Sequence, residues 1–486
     1  MNSSNNTAGL RNALIAALPD DPAHHTGTPE TRHVYIPPGH IKALRLDCAL
    51  VIGTRGVGKT FWSSALQSGE IRKMLGSSVA NLEKVEVRPG FGIESQSGKY
   101  PDADTIRDLL GSHISPYDVW RAVLARCFGP EANRSVPTVT WKDTCLWVAR
   151  NPEDFAHLLE SAQERFVQQN SHGLIVFDSL DRTATDWTTM DALIKELLRV
   201  ALLLKGFRRL HAKVFLRDDQ YRPERIATFP DASKLLSTKV DLTWAPQDLH
   251  GLLWQYLLNA AGNHGEILRS LYQQVTSDRL QDSEARPWMV SDNVKTSDLI
   301  QKRLFEELAG SWMGRDHRRG IPYSWVVGHL ADGKRQASPR SFIAAIKKAG
   351  EVSAERYSAH PHPLHYEGIK RGVQAASAIR VNEMTEDYPW ISQLMAPLKG
   401  QTVPCDFGLI QARWDLRPEL PQSLSSEGRL PPEHLENGWA GLRRDLESLG
   451  VFESMKDMRI NMPDIFRVGF GLGRRGGVRP ALPLGR

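Results

Sequence analysis

The chain has little cysteine, no long apolar run and almost no net charge. Four cysteines (Cys48, Cys127, Cys145 and Cys405) are scattered over 486 residues without a C-x-x-C pair. That argues against a disulfide framework or a cysteine-based zinc module and reads as reduced, buried thiols of a cytoplasmic protein. No apolar run reaches the roughly 18 residues that a membrane span needs. The polar residues 1–6 also lack the basic-then-apolar pattern of an export signal. The sixteen histidines form no H-E-x-x-H array, and no G-x-S-x-G elbow is present, which leaves metalloprotease and serine-hydrolase chemistry without a motif. The 61 basic and 56 acidic residues leave a net charge of +5, weak for this length. From Arg467 onward there are five arginines (467, 474, 475, 479 and 486) and no acid. Such a tail suits nucleic acid or an acidic protein surface, or is simply a solvated end.

What the chain does have is a phosphate-binding loop pattern. Gly53-Thr54-Arg55-Gly56-Val57-Gly58-Lys59-Thr60 fills every fixed position of G-x-x-x-x-G-K-[ST]. The apolar run Ala49-Leu50-Val51-Ile52 precedes it as a buried strand, and helix-compatible residues beginning at Phe61 follow. A glycine-rich turn between strand and helix lets the N–H groups of Arg55 through Phe61 wrap a triphosphate at the positive end of the helix. Lys59 can reach the outer phosphates, and the Thr60 hydroxyl can ligate Mg²⁺. The expected ligands are therefore ATP and Mg²⁺.

A length of 486 residues implies two to four domains. Residues 1–40 read as an N-terminal arm with one short helix at 10–18. Residues 41–250 alternate strands (47–52, 82–87, 173–178, 212–216 and 240–244) with helices (116–128, 155–169 and 190–204), the pattern of an α/β parallel sheet. Residues 251–360 are helical by period and form a candidate lid. Residues 361–486 end with a helix at 438–449, a glycine turn and two short strands, the order of a winged-helix-like domain carrying the basic tail.

The carboxylate partner of the phosphate loop is sought at a strand end. Asp178 closes the apolar strand Leu174-Ile175-Val176-Phe177, at the edge of the sheet where open α/β folds bind ligands. It is the candidate Mg²⁺ carboxylate, or else a residue capping a turn. Ser179, immediately after it, cannot act as a general base. Asp181 is the nearest carboxylate that could orient or deprotonate water, unless it only pairs with Arg182.

Together these residues resemble a family. The loop, an insertion, Phe177-Asp178-Ser179-Leu180-Asp181-Arg182, a strand ending in Arg217, and Ser338-Pro339-Arg340 are similar to the AAA+/STAND branch of P-loop ATPases. The likeness is strongest to KAP-type NTPases, whose D-D-L-D-R reads D-S-L-D-R here. It covers about residues 41–350. It implies a five-strand core with the 212–217 strand between the two nucleotide-binding strands. It also implies Arg217 as a sensor of the γ-phosphate and Arg340 as a second sensor in the lid. Arg217 has a rival reading as an ion pair with Asp218 or Asp219, and Arg340 as a solvated helix start. Arg222 and Arg225 are weaker candidates for arginine fingers acting on a neighbouring subunit. Self-assembly or a partner protein, DNA contact through the C-terminal domain and a role in antiviral defence follow from the resemblance by analogy. Negligible turnover, as in a nucleotide-gated scaffold, is the rival to an ATPase.

Overall fold

The computed structural model describes residues 2–20 (backbone only for 2–6), 27–133, 135–280, 287–424, 429–474, 478 and 480. The chain divides into two compact units. One holds Thr26–Pro29 and Pro38–Thr243; the other holds Met1–His25, Glu30–Pro37 and Trp244–Arg486.

The first unit is built on a sheet of five strands: β1 Leu50–Gly53, β2 Val85–Phe91, β3 His172–Phe177, β4 Leu210–Arg217 and β5 Val240–Asp241. Their order is β2-β3-β4-β1-β5, and every pairing is parallel. β4 thus lies between β1 and β3, as the motif resemblance implies. All six residues of β3 are buried, which suits a central parallel strand covered by helices on both faces. The insertion helix Pro116–Phe128 starts where Ser115 accepts a hydrogen bond from Asp118 N and Pro116 fills the first turn. It buries Trp120, whose ring meets Phe91 and Phe177 edge-on and whose indole N–H donates to Leu193 O at 2.9 Å. The insertion is therefore anchored to β2, β3 and the apolar helix Trp187–Leu204.

β1 begins later than the sequence pattern predicts, and a buried lysine holds the residues that lead into it. Lys213, in the middle of β4, is fully buried and donates to the carbonyls of Ala43, Arg45 and Cys48 at 2.6, 3.0 and 2.7 Å. The approach to β1 is tied down by this side chain, and Val214 N donates to Ala49 O at 2.7 Å where the ladder begins. β2 runs on to Phe91 through Pro89. A proline is tolerated there because β2 is an edge strand.

The second unit is mostly helical. Pro246–Leu258, Gly262–Thr276, Asp298–Ala309, Pro322–Leu330 and Pro339–Arg356 occupy the segment read as helical by period. The N-terminal helix is Asn2–Ala17, longer than residues 10–18. It rests on Gly262–Thr276 and Pro339–Arg356. Arg11 holds it, donating to the carbonyls of Pro363, Ser358 and His362 at 2.8, 3.1 and 3.2 Å. Pro339–Arg356 and the long helix Tyr366–Asp387 approach closely. A Cβ on Gly372 would lie 2.1 Å from Ala345 O, so only glycine fits there.

At the C-terminal end, helix Gly438–Ser448 leads into β6 Glu453–Ser454 and β7 Ile460–Asn461, an antiparallel pair. Cys405 bridges Ile460 antiparallel as a third, single-residue strand. Helix, hairpin and flanking bridge make the winged-helix-like arrangement. The basic tail needs a correction. Arg467 is fully buried, donating to Asp464 Oδ1 at 2.8 Å, to Leu472 O at 3.0 Å and to Val478 O. Arg474 bonds the same Asp464 oxygen at 3.3 Å. Leu472 and Val478 turn the chain back over Arg467, so this arginine is an internal strut and not a contact for an outside partner. Arg475, Gly476, Gly477, Arg479 and Arg486 lie outside the described residues, as do His24 and His25. Among the described residues no helix is long and apolar enough to cross a membrane.

Candidate functional site

The parallel sheet brings the C-terminal ends of β1, β3 and β4 to one edge. Gly53 is the register partner of Arg217, and Phe177, which precedes Asp178, is the partner of Val214. The phosphate loop leaves β1 at this edge. Gly56 and Gly58 have φ of 79° and 105°, a left-handed backbone that glycine adopts without a Cβ clash. These two residues turn the chain so that helix Lys59–Gln67 starts at Lys59.

Lys59 Nζ donates to Gly53 O and Thr54 O, both at 2.8 Å. The lysine arches back over its own loop. Its pKa is pushed down to about 8, first by loss of solvation and then by the charge of Arg217, against the pull of Asp178, Asp218 and Asp219. The Thr60 hydroxyl is hydrogen-bonded to the Asp178 carboxylate, which is 3% exposed. Burial raises the pKa of Asp178, and the Thr60 hydrogen bond and the Lys59 charge oppose that rise. Asp178 N extends the strand ladder by donating to Phe91 O at 3.1 Å. Ser179 then takes φ 58°, a left-handed conformation costly for a residue with a Cβ and the kind of strain that collects at functional sites.

Arg217, the last residue of β4, is 9% exposed. Its Nε donates to Asp219 Oδ1 at 3.2 Å, and its Nη1 lies 3.8 Å from Asp181 Oδ2. Its backbone N–H donates to Gln220 Oε1 at 3.0 Å. Asp219 Oδ2 is buried without a hydrogen-bond partner. The fold therefore gathers Lys59, Thr60, Asp178, Asp181 and Arg217 as the sequence pattern expects, and adds Asp219. The signal for Asp219 was present as the run Arg217-Asp218-Asp219 at a strand end, but spacing alone could not show which acid grips the guanidinium.

Arg55, Val57 and Phe61 belong to the same loop and helix start. Phe61 meets Trp62 edge-on, with ring centroids 5.2 Å apart. Behind the helix, Trp62 Nε1 donates to His40 Nδ1 at 3.0 Å, and His40 Nε2 donates to Thr243 O at 3.0 Å. This fixes one tautomer of a fully buried imidazole, whose pKa is pushed down to about 4 by burial. His40 thus braces the helix through Trp62, a role the sequence does not signal.

The other arginine candidates are engaged within their own units. Arg222 pairs with Asp191 and lies over the Trp187 ring at 4.3 Å, and Arg225 reaches the same carboxylate at 3.5 Å. Arg340, in the second unit at the start of Pro339–Arg356, pairs with Glu383 of Tyr366–Asp387. Glu433, His434 and Asp445 converge in that unit closely enough to share an ion. Asp445 is, however, already held by His434, through its backbone N–H at 2.9 Å and through its ring.

The Thr60 hydroxyl and the Asp178 carboxylate are a hard oxygen pair beside a lysine and a run of backbone N–H groups. That donor set fits Mg²⁺ bound with a polyphosphate.

No protein-family model and no curated protein sequence matches the chain. Among solved structures it is similar to Cdc6p from Pyrobaculum aerophilum, with 10% identity over 90% of this chain and 94% of that one and a TM-score of 0.31. It is also similar to the Aeropyrum pernix ORC2 protein, described in ADPNP–ADP complexes, with 13% identity over 92% and 95% and a TM-score of 0.41. For the Aeropyrum pernix ORC1 protein in complex with DNA the values are 14%, 93% and 93%, and 0.33. Likenesses this distant leave the reading of the site to its own geometry.

Proposed function

We propose that the chain is an ATP-binding protein whose Mg²⁺–ATP site is the phosphate loop Gly53 to Thr60. The carrying observation is the Thr60 hydroxyl set against the buried Asp178 carboxylate at the strand end beside Lys59. In this reading Lys59 leaves the Gly53 and Thr54 carbonyls and meets the outer phosphates, while loop N–H groups from Arg55 to Phe61 hold the rest. Thr60 and Asp178 hold Mg²⁺, which when bound neutralises phosphate charge.

Hydrolysis is slow in this account. Ser179 carries no base, and Asp181, the nearest alternative, faces the Arg217 guanidinium. The protein is then a nucleotide-controlled switch with low turnover, and a scaffold without turnover is its limiting case. Phosphate release should be slow but measurable in the wild type and absent in Asp178→Asn. Release from Asp178→Asn equal to the wild type sinks the assignment of the site.

The AAA+/STAND, KAP-like placement rests on the motif order and the β2-β3-β4-β1-β5 sheet, with Arg340 as the lid sensor. Homo-oligomers, arginine fingers at Arg222 and Arg225 and antiviral defence rest on the motif resemblance alone. DNA contact is assigned to helix Gly438–Ser448 and its hairpin, which expose Arg444 and Lys456. It does not belong to Arg467.

A further inference from the structure

The second unit carries a loop that displays its charge instead of pairing it. Residues 310–321 join helix Asp298–Ala309 to helix Pro322–Leu330. Met313 is buried at the base of this loop, and its N–H donates to Gly320 O at 2.8 Å, which closes the segment between them. Gly314 has φ 155°, and a Cβ there would lie 3.0 Å from Arg319 Cγ, so the Arg319 stem crosses over it. The one acid of the loop is Asp316. It is turned to the backbone: its Oδ1 accepts from Arg318 N at 2.9 Å and its carbonyl from Arg319 N at 3.2 Å. Glu306, on the preceding helix, accepts from the Ser311 hydroxyl. Arg315, His317, Arg318 and Arg319 are exposed, and among the described residues the three arginines have no ion-pair partner. In the same unit Arg340, Arg443 and Arg459 each have a carboxylate. Trp312 stands beside the loop cations, 40% exposed, and meets the His317 ring edge-on with centroids 6.2 Å apart.

We propose that residues 312–319 are a binding site for single-stranded nucleic acid, in which Trp312 stacks on a base and Arg315, Arg318 and Arg319 contact successive phosphates. The site lies apart from the phosphate loop and from the helix and hairpin assigned above to DNA, and it stands whether or not the chain binds ATP. Guanidiniums keep their charge and fork donors for phosphate oxygens. Arginines alone would suit a duplex backbone or an acidic peptide equally well. The exposed indole decides between them: a single strand offers unstacked base faces beside its phosphates, a duplex hides those faces, and an acidic peptide has none. The closure at Met313 and Gly320 and the Asp316 bonds hold the loop in shape before any ligand arrives, which lowers the ordering cost of binding.

The test uses the full chain and fluorescence anisotropy of a labelled oligothymidylate of about 20 nucleotides, a length that spans one such site, titrated over a range of salt. A duplex of equal length and a polyglutamate peptide are the comparison probes. Trp312→Ala should weaken oligothymidylate binding about tenfold with the salt slope unchanged, and Trp312→Phe should keep most of the affinity. Each phosphate contact on a single strand adds about 0.7 to the slope, so Arg315→Ser, Arg318→Ser and Arg319→Ser together should lower it by about two. Arg318→Ser alone, at a residue whose backbone keeps its bond to Asp316, gives a smaller loss of the same kind should the triple variant fold poorly. Arg444→Ser with Lys456→Ser, which tests the duplex surface, should leave oligothymidylate affinity within about twofold of wild type. Unchanged binding in Trp312→Ala or in the arginine variants overturns the proposal. So does a wild type that binds no oligothymidylate, or a loss on Trp312→Ala that is as large for the duplex or for polyglutamate.

Discussion

Lys59 links nucleotide binding to pH in a way that can be worked out in advance. Its ammonium is held at a pKa of about 8 by lost solvation and by Arg217. A polyphosphate against Nζ reverses that balance and keeps the lysine charged in the complex. Binding then takes up a proton whenever the free protein has lost it. With the ammonium kept throughout in the complex, the dissociation constant scales as 1 + 10^(pH − pKa). That factor rises about tenfold between pH 7 and pH 9, and about half a proton is taken up per nucleotide at pH 8. The sign is fixed: affinity falls as pH rises through 8. Calorimetric titration of AMPPNP with Mg²⁺, repeated at pH 8 in two buffers of different ionisation enthalpy, reads the proton directly. Lys59→Arg, charged at every pH used, should show a flat profile whatever its absolute affinity. A flat wild-type affinity from pH 7 to 9, or no proton uptake at pH 8, refutes the reasoning.

Other perturbations have definite outcomes. Lys213→Met leaves the carbonyls of Ala43, Arg45 and Cys48 without their donor; after allowance for the charge no longer buried, chemical denaturation should show a loss of about 3 kcal/mol. Arg467→Ala strips Asp464 of its main buried partner. It should cost about 3–5 kcal/mol in the same assay, while any salt dependence of DNA binding stays as in the wild type. His250 is buried, donates from Nε2 to Tyr323 O at 3.0 Å, and has its pKa lowered to about 3. The unfolded chain binds its proton first, so His250 contributes stability above about pH 6.5 that is lost as pH falls toward 3. The stability difference between wild type and His250→Phe should therefore shift against the wild type on acidification over that window, and a pH-independent difference would contradict the burial argument.

Strand β3 and the Pro116–Phe128 helix were legible because their signals are local: an unbroken apolar run in one, and Ser115, Pro116 and a Trp-bearing apolar face in the other. The phosphate loop was legible because its glycines, lysine and threonine must stand at fixed spacing to turn the backbone and present the two side chains. Asp178 followed from its place at a strand end. The anchoring of the approach to β1 was not legible, since Lys213, more than 160 residues away, reaches the carbonyls of Ala43, Arg45 and Cys48. Arg467 read as part of a basic tail because composition records charge and not burial. Its ring of Asp464, Leu472 and Val478 exists only once the segment folds back. Asp218 and Asp219 were both available to Arg217, and only the turn after β4 shows that Asp219 takes Nε.

The central claim is that the loop from Gly53 to Thr60 holds ATP with Mg²⁺. Its most direct test is an equilibrium titration of fluorescent ATP analogue with the wild type and with Lys59→Ala, each with Mg²⁺ and with chelator. The account predicts saturable, Mg²⁺-strengthened binding to the wild type, and none to a Lys59→Ala protein that melts at the wild-type temperature. Equal binding by the two proteins, or no binding by the wild type, would contradict it.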